Sequence, residues 1–224
     1  MPHVKKLLAS LMVLGAAGSI TVSGTYGLLN SEGANPRSSV ASGTLTFSDA
    51  VNSGSACYSY NGPSSPGNVN TACQPLFTSA TENYPGAPAT ARVTITNNGS
   101  LAVSDLSVYM PSCASTVTPS APTPGVANPC AAAGAQFYIQ ETDAAGTPTT
   151  CRFPAGAGAC AFAANSLFVF QSNDNAPASA LDLGAGPAAG AARYFTIGMQ
   201  LPSNASNALQ GRAALFSVTW HVTT

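Results

Sequence analysis

The sequence carries very little charge. Only 7% of its 224 residues are Asp, Glu, Lys or Arg, and the formal net charge is -1; a soluble domain ordinarily has about a quarter of its residues charged. Lysine is confined to Lys5 and Lys6, and the other cations are Arg37, Arg92, Arg152, Arg193 and Arg212. Scattered guanidinium groups cannot neutralise a phosphate backbone, which excludes nucleic acid as a partner. There is no polybasic stretch for an anionic membrane surface either. Histidine is nearly missing: beyond His3 the chain has only His221. HExxH, GxSxG, P-loop and GxGxxG motifs do not occur. No CxxC occurs, so a zinc site would have a single imidazole to draw on, and no metal or cofactor is expected. Outside the N-terminal segment no window shows a 3.6-residue apolar stripe, and the Ala-rich stretches are cut by Gly and Pro.

What is present points to strands, turns and export. Hydrophobic residues make up 45% of the chain, alongside Gly 21 and Pro 17, enough apolar surface for a core. Lys5 and Lys6 precede an apolar run, Leu7 to Val22, and small residues follow at Gly24-Thr25-Tyr26-Gly27. This is the layout of a secretory signal, residues 1–27, with cleavage between Gly27 and Leu28. The run is shorter than the roughly 20 residues of a spanning helix and is broken by glycine, so no stable membrane anchor is expected after cleavage. Six cysteines, Cys57, Cys73, Cys113, Cys130, Cys151 and Cys160, all lie beyond it. Fifteen pairings are possible. Bridging sequence neighbours would staple three Gly/Pro/Ser-rich loops, at about 3 kcal/mol each in the chain-entropy account. Disulfides also imply an oxidising, extracellular destination.

Residues 28–42 read as an extended arm, and 43–224 as one domain. Period-2 alternation marks strands at Thr44 to Phe47, Thr90 to Thr96, Leu101 to Met110, Gln136 to Gln140, Ser166 to Gln171, Arg193 to Leu201 and Ala213 to Val222. Asn98-Gly99 predicts a hairpin between the second and third. Residues 50–88, 111–134 and 142–164 read as long disulfide-stapled loops. The expected fold is all-β, an antiparallel jelly-roll-like sandwich.

The residues that could carry chemistry are few. His221 sits within an alternating strand, where a sheet-face role is expected. Paired carboxylates could come from Glu141, Asp143, Asp174 and Asp182, and a glycosidase would need two of them in a cleft. Asn173-Asp174-Asn175 lacks the further acids of a calcium loop and reads as a turn. Asn98-Gly99-Ser100 and Asn204-Ala205-Ser206 are sequons on expected surface turns. No catalytic residue is assigned, and no enzyme activity is expected.

Four segments resemble the TasA/camelysin-type secreted proteins of bacteria. They are the exit Gly24-Thr25-Tyr26-Gly27 with Leu28-Leu29-Asn30-Ser31-Glu32, the strand Ala41-Ser42-Gly43-Thr44-Leu45-Thr46-Phe47, the turn Val93-Thr94-Ile95-Thr96-Asn97-Asn98-Gly99-Ser100-Leu101, and Asn207-Ala208-Leu209-Gln210-Gly211 before the last aromatic strand. The resemblance implies removal of the leader by a dedicated signal peptidase, a jelly-roll domain, and fibres in which an N-terminal segment completes a neighbour's sheet. Here that donor strand would be residues 28–42, with Leu28, Leu29 and Val40 as the inserted side chains.

The expected function is therefore a secreted structural protein, a subunit or accessory of matrix or cell-surface fibres, self-associating and in contact with other matrix or cell-wall components. The alternative is a monomeric surface module for a cell-wall glycan or host ligand, using loop tyrosines Tyr58, Tyr60 and Tyr84. A secreted hydrolase is the third reading, and it lacks a visible acid–base or nucleophile set.

Overall fold

Alternating apolar and polar residues build two layers of strands that face each other. The computed structural model describes residues 43–59, 73–77, 85–117 and 125–224. The expected signal segment with Gly27 and Leu28, the arm with Leu28, Leu29 and Val40, and Tyr60 and Tyr84 lie outside them. The strands are β1 (Phe47–Val51), β2 (Cys57–Tyr58), β3 (Ala89–Asn97), β4 (Asp105–Tyr109), β5 (Cys113–Val117), β6 (Gln136–Thr142), β7 (Pro148–Phe153), β8 (Gly156–Ala157), β9 (Leu181–Asp182), β10 (Ala192–Gln200), β11 (Arg212–Phe216) and β12 (Thr219–Thr223). One layer is a seven-stranded sheet in the order β2-β1-β3-β10-β6-β7-β8. The other combines β12-β4-β9 with the pair β11-β5. Every pairing is antiparallel. The fold is an antiparallel β-sandwich, as the alternation predicts.

The second layer is in effect one kinked ribbon. Tyr109 pairs with Thr219, and Cys113 pairs with Phe216. The step from 109 to 113 is one residue longer than the step from 216 to 219. That extra residue, within 110–112, interrupts the ladder as a bulge does and bends the ribbon. The single strand expected at Ala213 to Val222 is thus two strands, parted at Ser217–Val218.

The core lies between the layers. Ala91, Val93 and Ile95 on β3, Phe137 and Ile139 on β6, and Phe195 and Ile197 on β10 are buried from one side. Leu106, Val108, Met110 and Trp220 meet them from the other. The rings of Phe195 and Trp220 stack across the interface with centroids 4.9 Å apart. Burial of each such side chain stabilises the fold by about 1.5–3 kcal/mol.

Several sequence expectations change. Ser166 to Gln171 is not a strand: Ser166–Asn173 forms the helix α1. Leu167 and Phe170, three residues apart, are both fully buried, which is helical and not strand spacing. The Phe170 ring packs on Phe137 and Phe153 at 5.1 and 4.9 Å. Asn98-Gly99 does not make a hairpin either. β3 pairs with β1 and β10, and β4 with β12 and β9, so the turn carries the chain from one layer to the other. The buried Asn97 governs it: Oδ1 accepts from Gly99 N at 2.9 Å, while Nδ2 donates to Leu101 O and Pro187 O at 2.8 and 3.0 Å. A β-carbon at Gly99 would collide with the Thr44 carbonyl. The first strand begins at Phe47, later than expected, because the 44–46 backbone pairs with this turn instead. The expected loops 50–88, 111–134 and 142–164 contain β2, β5, and β7 with β8.

The cysteines are joined as Cys57–Cys73, Cys113–Cys130 and Cys151–Cys160, which suits an oxidising compartment. Among the described residues no helix is long and apolar enough to cross a membrane.

Candidate functional site

Among the described residues, the outer edge of the kinked ribbon is left without a strand partner. Leu106 donates its N–H to Gly184 and accepts at its carbonyl from Leu183. Successive residues of an antiparallel strand turn these groups to opposite sides. Leu106 and Val108 therefore serve β9, while Asp105, Ser107 and Tyr109 serve β12. Their partners on β12 are Thr223, His221 and Thr219. The N–H and C=O groups of Trp220 and Val222 consequently point away from β4, and no backbone group of a described residue bonds to them. β11 likewise has β5 on one side and no described strand on the other. Edges are commonly protected by lysine, proline or an inward charge. Here the sequence Arg212 to Phe216 and Thr219 to Thr223 contains none of the first two, and its one cation, Arg212, donates to the Ala127 carbonyl. Leu215, 58% exposed, stands opposite Ala114 on the outer surface of this ribbon, with Val117, 44% exposed, farther along β5.

The carboxylates noted in the sequence are dispersed. Both oxygens of Glu141 are taken, Oε2 by Arg152 at 2.5 Å and Oε1 by Arg193 at 2.7 Å. Asp143 shapes the β6–β7 turn: Oδ1 accepts from Thr147 N at 2.8 Å. That hydrogen bond, more than any other, holds its carboxyl below the usual range. Asp174 ends α1, and its backbone carbonyl accepts from Met110 N. Burial pushes its carboxyl up. Asn173-Asp174-Asn175 is a turn in which Asn175 Nδ2 donates to the Ser172 carbonyl at 3.2 Å.

Asp182 and His221 come together, through a residue that the sequence did not single out. Both flank Ser107 in one row across β9, β4 and β12. Asp105 lies two residues away on the same strand. Desolvation, then a hydrogen bond that the protonated Asp105 donates to Asp182 and the charge of Asp182, raise the Asp105 carboxyl, and His221 opposes the shift. Nothing in the local sequence marks Asp105 as their neighbour; only the β4–β12 register does. The row is on the face of β4 opposite Leu106 and Val108, and Ser107 within it is buried. A concavity of about 440 Å³ sits elsewhere, lined by residues that include Asn128, Gln136, Asn165, Asn204 and Ser206, without a charged side chain.

No family model matches the chain, and no curated protein matches it. Of the loop tyrosines expected to meet a ligand, Tyr58 is half-buried in β2. The sequon asparagine Asn98 is engaged, its Nδ2 donating to Ser48 Oγ at 2.7 Å, while Asn204 is exposed. One group of metal-ligand type occurs among the described residues: Asp49, Cys57 and Cys73, whose donor atoms lie within 4.8 Å of one another. Its two sulfurs are bonded together, which leaves one carboxylate as a ligand.

Proposed function

We propose that this is a secreted structural protein, a subunit of extracellular fibres that grow by strand addition. The observation that supports it is the edge of β11 and β12, which has no strand partner among the described residues. Added strands gain main-chain hydrogen bonds from such an edge, and their alternate side chains settle into pockets. Residues 28–42 of a second copy would supply the added strand, with Leu28, Leu29 and Val40 as the candidate side chains for those pockets. A contact of this kind is head-to-tail, and one that does not close generates a filament. The shortage of charge fits the same role, because little repulsion opposes close subunit stacking. In this reading the carboxylates are structural, and the protein performs no catalysis.

The test compares residues 28–224 with residues 43–224, both purified under oxidising conditions. Light scattering and negative-stain electron microscopy should show filaments for the longer chain and folded monomers for the shorter. Monomers from both, across concentration and pH, would refute assembly. They would favour a binding module for an uncharged, hydroxyl-rich ligand such as a cell-wall glycan, a reading supported by an uncharged concavity whose lining includes Gln136, Asn204 and Ser206.

A further inference from the structure

The three bridges differ in their surroundings. Cys73 is exposed, whereas Cys113 and Cys160 are half-buried and Cys57, Cys130 and Cys151 are buried. Cys73 is thus the exposed half of this bridge, the side from which an external thiolate would approach, and Cys57, the half it would expel, is buried. Asp49 pairs directly with Cys57 across β1 and β2, so the two side chains share a face. Its carboxylate oxygen lies within 4.8 Å of both sulfurs. Among the described residues no carboxylate or imidazole stands in that relation to both sulfurs of the other bridges. The Cys160 sulfur faces the carbonyls of Ile139 and Phe153, which offer no proton.

We propose that Cys57–Cys73 is a thiol–disulfide exchange site in which Asp49 supplies the proton to the departing Cys57 sulfur. A low-molecular-weight thiol, as its thiolate, attacks Cys73 Sγ. A mixed disulfide forms there, the Cys57–Cys73 bond breaks, and its electron pair leaves on Cys57. Burial disfavours the charged form of that thiolate. The Asp49 proton passes to it, and the carboxylate regains a proton from water. A second thiolate attacks the sulfur of the mixed disulfide that came from the reductant. It leaves as a small disulfide, and Cys73 is released as a thiolate. Two reductant thiols are oxidised for one protein disulfide reduced.

The chemistry of Asp49 suits this role. Burial raises its affinity for the proton, opposed only by a hydrogen bond from its own backbone, and no neighbouring charge contributes. The side chains opposite it, Cys57 on β2 and Ile95 on β3, bear no charge.

The experiment treats the oxidised full chain with reduced glutathione, traps free thiols by alkylation at timed intervals and identifies them by peptide mass. Cys57–Cys73 should open roughly tenfold faster than either other bridge, as expected where access controls attack. Its rate per glutathione thiolate should fall as pH rises through the titration of Asp49. Asp49→Asn should slow this one bridge, flatten that pH profile and leave the other two unchanged. Simultaneous opening of all three bridges would overturn the proposal. So would a pH profile in the native chain that shows no such fall, a measurement that needs no variant.

Discussion

Arg193 ties Glu141 on its own sheet to the opposite layer. Its Nε and Nη2 lie 2.9 and 2.7 Å from Glu141 Oε1. The same guanidinium donates to the carbonyls of Ala185 and Leu183, just past β9, at 2.8 and 3.1 Å. The ion pair is thus one corner of the sandwich and not an isolated surface contact. Replacing the carboxylate by an amide, Glu141→Gln, leaves two guanidinium groups without a counter-charge. The full penalty for a deeply buried pair is about 3–5 kcal/mol, and partial exposure reduces it to about 2 kcal/mol here. Urea denaturation should show that loss with an unchanged slope.

Strand addition predicts a contrast between neighbouring positions. Val222→Pro removes an N–H that points away from β4, a place where an edge strand tolerates proline. It should abolish filaments while the monomer stays folded by circular dichroism. His221→Pro removes an N–H that bonds to Ser107, and should cost about 3 kcal/mol of stability in addition.

Phe170 predicts the weight of α1 in the core. Phe170→Ala should destabilise by about 3–5 kcal/mol, because its ring fills the space between Phe137 and Phe153. Phe168, on the opposite side of the helix and 39% exposed, should cost well under about 1 kcal/mol on the same change. Both values come from chemical denaturation.

Acid stability separates three carboxyls by sign. Asp49 and Asp105 hold their protons more tightly in the folded state than in the unfolded chain. Their effect is to lower stability as pH rises from the unfolded value of about 3.9 through their raised folded values. Asp49→Asn and Asp105→Asn should therefore flatten a decline in stability across that window. Asp143 is shifted the other way. Its contribution is present above about pH 4 and is lost as pH falls through the lowered folded value. Asp143→Asn should remove that loss, as read from urea midpoints at pH 2 to 7.

Much of the sandwich was legible because burial on one face leaves a period-2 pattern. Val93, Ile95, Phe195 and Ile197 declare their strands in this way. The helix was not legible, because two turns bury only two apolar side chains, Leu167 and Phe170, beside Ser166, and the run Ser166 to Gln171 imitates a strand. The Asn98-Gly99 turn misled for a different reason. A hairpin there needs positive φ at its centre, whereas a buried Asn97 side chain fixes this turn by long-range contacts to Pro187. Of the site, the cysteines and their loops were visible as composition. The pairing of Asp105 with Asp182, and of Asp49 with Cys57, depends on register between distant strands, which local sequence does not encode.

Trp220 is the chain's one tryptophan, and it belongs to the edge strand while stacking on Phe195 in the opposite sheet. A built-in fluorophore thus sits where three events meet. Unfolding would move its indole into water and shift its emission to the red. Separation of the layers would remove the Phe195 ring from its face. Docking of a strand beside β12 would alter its surroundings without unfolding anything. Assembly and stability can therefore be followed on one unlabelled sample, by the wavelength of a single residue's light.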